Sequence, residues 1–167
     1  MDRTLESTLL HITRLRLTDD YPGQIRACLQ GLSEEQIWWR PNEQANAIGN
    51  LVLHLIGSNH YYLDHVLGER ELNRDRAAEF SARGVPGKSA LEAAWDASVA
   101  ATSGVLAKLE PARMAQTTER TGRTTTVAQI LLHVTHHNAT HMGQIVWIAK
   151  MLAPGAVDDL WMKMRTK

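Results

Sequence analysis

Three histidines fall within six residues in HHNATH, His136 to His141, inside a stretch that otherwise reads as an apolar helix. Imidazole on a helix that must be buried needs a reason. A helix turns about 100° per residue, so residues four apart lie nearly one above the other. His133, His137 and His141 therefore form one row on the segment that ends the chain. Its apolar stripe is Val127, Ile130, Leu131, Val134, Ile145, Ile148 and Leu152. On the helical wheel His141 falls inside that stripe, His137 at its edge and His133 further off, while His136 faces the opposite way into solvent. A single histidine on an apolar face is ordinarily a core residue with a hydrogen-bonded partner. Two at i, i+4 are harder to satisfy so, because each ring carries two polar nitrogens. Two such rings can place a nitrogen each on one metal ion, at about 2.0–2.1 Å for zinc. Imidazole also suits nickel, iron and copper, so the donor type does not fix the metal.

A catalytic metal site takes about three protein ligands and keeps a position open. The third ligand must come from another helix. Segment two offers His54, His60 and His65, and segment one offers His11. His54 and His65 lie on one flank of the apolar stripe of segment two, and periodicity leaves the choice between them open. His60 points away from that flank. Gly143 could permit close helix approach, the Gln144 amide could bond near the site, and Asn138 could orient an imidazole. Cys28, the lone cysteine, reads as a small buried hydrophobe rather than a nucleophile. Trp38, Trp39, Trp147 and Trp161 could line a ligand pocket, although tryptophan more often fills core or interface. Tyr61 and Tyr62 lie about two turns beyond His54, where packing is the expected role. Arg120 and Arg123 share a polar loop that could hold an anion, and solvation is their ordinary fate. No phosphate-binding glycine loop, H-E-x-x-H or cysteine pair is present.

The elements that position these residues are helical almost throughout. Segment one covers roughly residues 3–31, with an interruption expected at DDYPGQ, where Asp19 or Asp20 would cap a helix carrying Pro22 in its first turn. Ser33 and Gln36 match a capping box for a short helix closed by Pro41. Segment two runs from about residue 45 to Leu67, and Gly68 stops it. The polar stretch Gly68 to Ser89 reads as a long connection, which lets the flanking helices run parallel. Ser89 with Glu92 would cap segment three, which runs to Leu109. The Thr-rich Met114 to Val127 reads as an extended link or small ribbon. Thr125 or Thr126 starts segment four, which ends near Leu152. Four long helices with one long middle connection predict an all-α four-helix bundle, one domain over residues 1–167.

The 44% apolar and 22% charged composition is that of a folded chain, and Lys+Arg and Asp+Glu balance at 18 each. Zero net charge recommends neither nucleic acid nor an anionic membrane as a partner, and mildly favours a homodimer. One cysteine allows no internal disulfide, so the cytoplasm is the expected compartment. The first twenty residues read as a charged helix, not a signal peptide.

Two stretches carry a family resemblance. RPNEQANAIGNLVLHL, leading into His54, and H-x-x-x-H-x-G-Q, from His137 to Gln144, resemble the DinB superfamily of metal-binding bundles. The likeness extends over essentially the whole chain, including LSEEQIWWRP. It implies an up-down-down-up helix order and a divalent ion, nickel or zinc, held by His54, His137 and His141. His54 is preferred to His65 on this resemblance alone. His133 matches a common extra histidine with no ligand role. Relatives include thiol-dependent S-transferases and a maleylpyruvate isomerase that use small thiols such as bacillithiol or mycothiol. The leading expectation is therefore a metal-activated thiol acting on a small-molecule electrophile. A hydrolase using metal-bound water, a non-enzymatic stress-related binder, and a bundle with purely structural histidines are the rivals. No acidic residue stands in an obvious general-base position, which tells against the hydrolase. No catalytic side chain is assigned.

Overall fold

The computed structural model describes residues 4–155; Trp161 lies outside them. Thr4 starts the first helix, α1 (Leu5–Leu15), its hydroxyl accepting from the Ser7 amide. The interruption expected at DDYPGQ does not form. The helix continues through a π turn, Arg16–Asp20, into α2 (Tyr21–Gly31). Asp20 does not cap α2, because its carboxylate is engaged by Arg16 one turn back, at 2.5 Å. A π turn omits an i→i−4 bond, so Pro22, which has no N–H to give, is tolerated beside it. Ser33 and Gln36 form the expected reciprocal cap of α3 (Glu34–Trp38).

The next helix, α4 (Ile48–Asn59), runs on as a π-helical stretch, His60–Leu67. It stops at Gly68, whose amide donates to the Leu63 carbonyl. The connection that follows is not structureless. It holds α5 (Arg76–Ser81), capped by Asp75. Six residues with one large apolar side chain carry too little periodicity to be read from sequence. The following helix, α6 (Lys88–Lys108), begins after Gly87, so Ser89 is inside it and is not its cap. The Lys88 amide bonds Glu34 instead, at 2.9 Å, and its ammonium donates to the Leu32 carbonyl. The Thr-rich link forms a minimal antiparallel ribbon of β1 (Thr117–Thr118) and β2 (Thr125–Thr126). Thr126 then caps α7 (Val127–Leu152) in a reciprocal box with Gln129.

Helix α2 packs on α7, and α4 packs on α5, α6 and α7. The core is split in two. One cluster gathers Ile25, Leu29, Ile48, Leu55, Trp95 and Ile145. The other gathers Leu10, Leu63, Leu106, Ile130, Leu131 and Val134. Along α7 the second cluster ends at Val134 and the first resumes at Ile145. The turns between them carry His137, Asn138 and His141. A buried Asn59–Asn138 pair bridges α4 and α7 there, each amide donating to the other at 3.3 and 2.8 Å. Each buried amide is thereby satisfied, which keeps this polar layer from costing the fold. Among the described residues no helix is long and apolar enough to cross a membrane.

Candidate metal centre

One stripe of α4 sets up the site. Asn50, His54 and Gly57 follow at steps of four and three, so they share a face. The buried Asn50 amide donates to the carbonyls of Glu79 and Ala82, satisfying the end of α5. That fixes α5 over His54. A turn later Gly57 leaves room for the incoming side chains: a Cβ there would run into the Glu79 carboxylate. Glu79 therefore reaches His54, its Oε2 accepting from Nδ1 at 2.8 Å. Arg74 clamps the same carboxylate at 2.6 and 3.0 Å. His54 and Glu79 are buried, and Arg74 is partly so. Phe80 covers the His54 ring at 4.7 Å between centroids.

With Nδ1–H committed to Glu79, His54 turns the lone pair of Nε2 toward α7. His137 Nε2 lies 3.0 Å from it. His141 meets the His54 ring edge-on, with centroids 5.0 Å apart. Its Nδ1 donates to Gln144 Oε1 at 2.7 Å, which again leaves Nε2 as the free donor atom. One ligand atom from each of His54, His137 and His141 lies within 4.8 Å of the others, a group that could hold a metal ion. Two Nε2 lone pairs this close repel unless a proton or a cation lies between them. Burial pushes the His54 pKa down, against the pull of Glu79. Burial, with the neighbouring His141, His54 and His133 rings, pushes His137 down to about 3. Both rings are thus neutral at physiological pH, the form that ligates metal. His137 Nδ1 is buried and has no partner among the described residues. The donor set fits a divalent ion.

The other histidines stand apart. His133 is exposed, stacked on His137 at 5.8 Å and tilted against Tyr62 at 4.7 Å. His136 and His11 are exposed. His65 donates from Nδ1 to the Arg70 carbonyl. His60 is only half-buried and bonds Asp64 and the Asn73 amide, so it does not simply face solvent. Asn138 serves Asn59 and the Val134 carbonyl, not an imidazole. Gly143 makes no close helix contact, since a Cβ there meets nothing within 4 Å. Gln144 does bond at the site. Cys28 is fully buried, and desolvation raises its thiol to about 12, the behaviour of an inert hydrophobe. Trp38 packs on Gly49, where a Cβ would meet its ring at 2.7 Å. Trp39 and Trp147 do line a cavity, together with His141. Glu79 and Arg74 were not legible as site residues: they sit in what reads as a solvated connection, and no spacing ties them to His54.

The family model of the DinB superfamily matches residues 18–145. The chain belongs to the DinB superfamily. Two solved DinB-like proteins share its fold. One, from Bacillus cereus, has a TM-score of 0.67 at 14% identity, covering 93% of this chain and 99% of its own. The other, from Bacillus subtilis, has a TM-score of 0.64 at 16% identity, covering 85% of this chain and 93% of its own. Among curated proteins, none matches this DinB chain.

Proposed function

We propose that this DinB protein is a divalent-metal enzyme that activates a thiol for attack on a small electrophile, a thiol S-transferase. His54, His137 and His141 hold the ion, nickel or zinc. The carrying observation is the convergence of three imidazoles from α4 and α7, a donor set of three, which leaves coordination for a further ligand. A bound divalent ion lowers the pKa of a thiol or water that joins it. This chain's residues prepare that position. Glu79 and Gln144 fix the tautomers of His54 and His141, so both present Nε2. Arg74 holds Glu79 in place. Because Glu79 is bonded to both Arg74 and His54, it is not free to take a proton from water. A thiol, far more acidic than water before it meets the ion, ionises there more readily, which favours thiol chemistry over hydrolysis. The up-down-down-up order of the bundle is supported by the long α4–α6 connection and by the contacts of α7 with α1, α2 and α4, and the balanced charge favours a homodimer.

The test has two stages. Metal content is measured by mass spectrometry on tag-free wild type and on His141→Ala. Close to one equivalent of a divalent transition metal is expected, lost in the variant. The loaded protein is then given small thiols and a chromogenic electrophile, with the metal-free protein as reference. Metal-dependent thioether formation supports the transferase. Folded protein that takes up neither nickel nor zinc overturns the three-histidine site.

A further inference from the structure

His141 belongs to a second feature. It stands in the wall of a cavity of about 390 Å³ between α7 and the segment after α3. The other walls are Trp39, Leu51, Trp147, Ile148 and Met151. No Asp, Glu, Lys or Arg side chain lines it; besides His141, Asn46 and Gln144 are its polar side chains. Trp147 is 66% exposed and Met151 46%. Large apolar side chains held open to water around one imidazole are what a small apolar ligand covers. Two other hollows differ. One of about 550 Å³, lined by Leu53, Ile56, Arg74 and Ala78, touches Glu79 but none of the three clustered imidazoles. Another of about 530 Å³, lined by Tyr62, Arg123, Thr124 and Gln129, is polar and opens beside His133. Of these three, the tryptophan cavity is the one lined by one of the three clustered imidazoles.

We propose that the Trp39–Trp147 cavity binds the apolar body of an uncharged small substrate whose polar, metal-ligating end lies at His141. This rests on the metal reading given above. The substrate class is a neutral molecule with one donor head and an aliphatic or aromatic tail. A charged tail is disfavoured, because no side chain in the wall offers it a counter-charge.

A series of alkyl hydroxamates tests it: aceto-, butyro-, hexano- and octanohydroxamate, titrated calorimetrically into nickel- or zinc-loaded protein. The head ligates the metal and the tail varies only in apolar length. Burial of each methylene tightens binding about fourfold where it is complete. The expected result is a stepwise gain in affinity with chain length, accompanied by a shift in tryptophan emission. In Trp147→Ala, whose side chain is mostly exposed and not part of the core, the slope against chain length flattens, with acetohydroxamate as the reference in each protein. Acetohydroxamate binding with no dependence on tail length in wild type overturns the cavity proposal and leaves the metal reading standing. Failure to take up metal overturns the metal reading itself. The cavity is then judged on metal-free protein by whether octanohydroxamate shifts tryptophan emission in wild type and less in Trp147→Ala; no shift overturns it.

Discussion

At the level of single residues, the site depends on which ring nitrogen carries the proton. Glu79 settles that for His54, and Arg74 settles where Glu79 stands. Outer partners of ligating histidines are typically worth 10–100-fold in metal affinity. Glu79→Gln keeps an acceptor near Nδ1 but removes the charge, and leaves the partly buried Arg74 without its counter-ion. Metal affinity, read by competition with a chelator of known strength, is expected to fall by roughly 10-fold or more. Unchanged affinity would show that the carboxylate does not tune the site. A second expectation concerns acid. His137 titrates near pH 3 when folded, against about 6.5 in an unfolded chain. Its folded pKa is depressed, so its contribution is complete above pH 6.5 and is lost as pH falls from there toward 3. Urea unfolding of metal-free protein should lose on the order of 1 kcal/mol between pH 7 and 5 from this group. His137→Asn, which has no proton to gain in that range, should lose less. An equal loss in the two proteins would refute the assignment.

Among the elements, α5 matters most for its size. Its six residues are too few to be stable alone, and Asn50 and the Asp75 cap hold them against α4. Gly57 is the other half of that arrangement. In an exposed helix interior, Gly→Ala is favourable by up to about 1 kcal/mol. Here the added methyl meets the Glu79 carboxylate and the Arg74 guanidinium. Gly57→Ala should therefore weaken metal binding at least as much as Glu79→Gln, while thermal stability without metal changes little. Calorimetric metal titration beside a melting curve separates the two effects. Retained affinity would mean that α5 can shift without disturbing His54. The sequence marked six of these features well. The start of α3, the boundaries of α7, the Thr ribbon, the stop at Gly68, the helical character of segment one, and the polar row on α7 all follow from local chemistry. It did not mark α5, because a short helix ordered by tertiary contacts leaves no periodic signal. It placed helix caps at Asp19 or Asp20 and at Ser89 because capping residue types are local; Asp20 instead pairs with Arg16 inside a continuous helix, and Glu34, brought close only by the fold, accepts from the Lys88 amide.

For the molecule as a whole, the three-histidine group joins two halves of the core. The site links α4 to α7 between two apolar clusters, beside the Asn59–Asn138 bridge. A ligand that binds only the folded state stabilises by about 2.7 kcal/mol at a hundred times its dissociation constant. For a chain of this size, that corresponds to a rise in Tm of very roughly 5–10 °C. Adding one equivalent of nickel or zinc to stripped protein should raise Tm by that order, and His54→Ala should abolish the rise. An equal rise in the variant would place the ion elsewhere.

Sequence alone determined the helical class, because apolar spacing of three and four residues is a local property that every long segment displays. It also determined the candidate row, since His137 and His141 are one turn apart on any helix. Choosing His54 over His65 from the sequence rested on family resemblance, because both lie on the same flank of their helix. Tertiary structure brought His54 to that row and sent His65 to the Arg70 carbonyl, since the contact of α4 with α7 is set by packing and not by spacing. It alone recruited Glu79 and Arg74, twenty and more residues from His54 along the chain, because a buried imidazole needs an acceptor and only the docking of α5 supplies one. It alone opened the tryptophan cavity beside His141, because a concavity belongs to the gap between elements and to no element by itself.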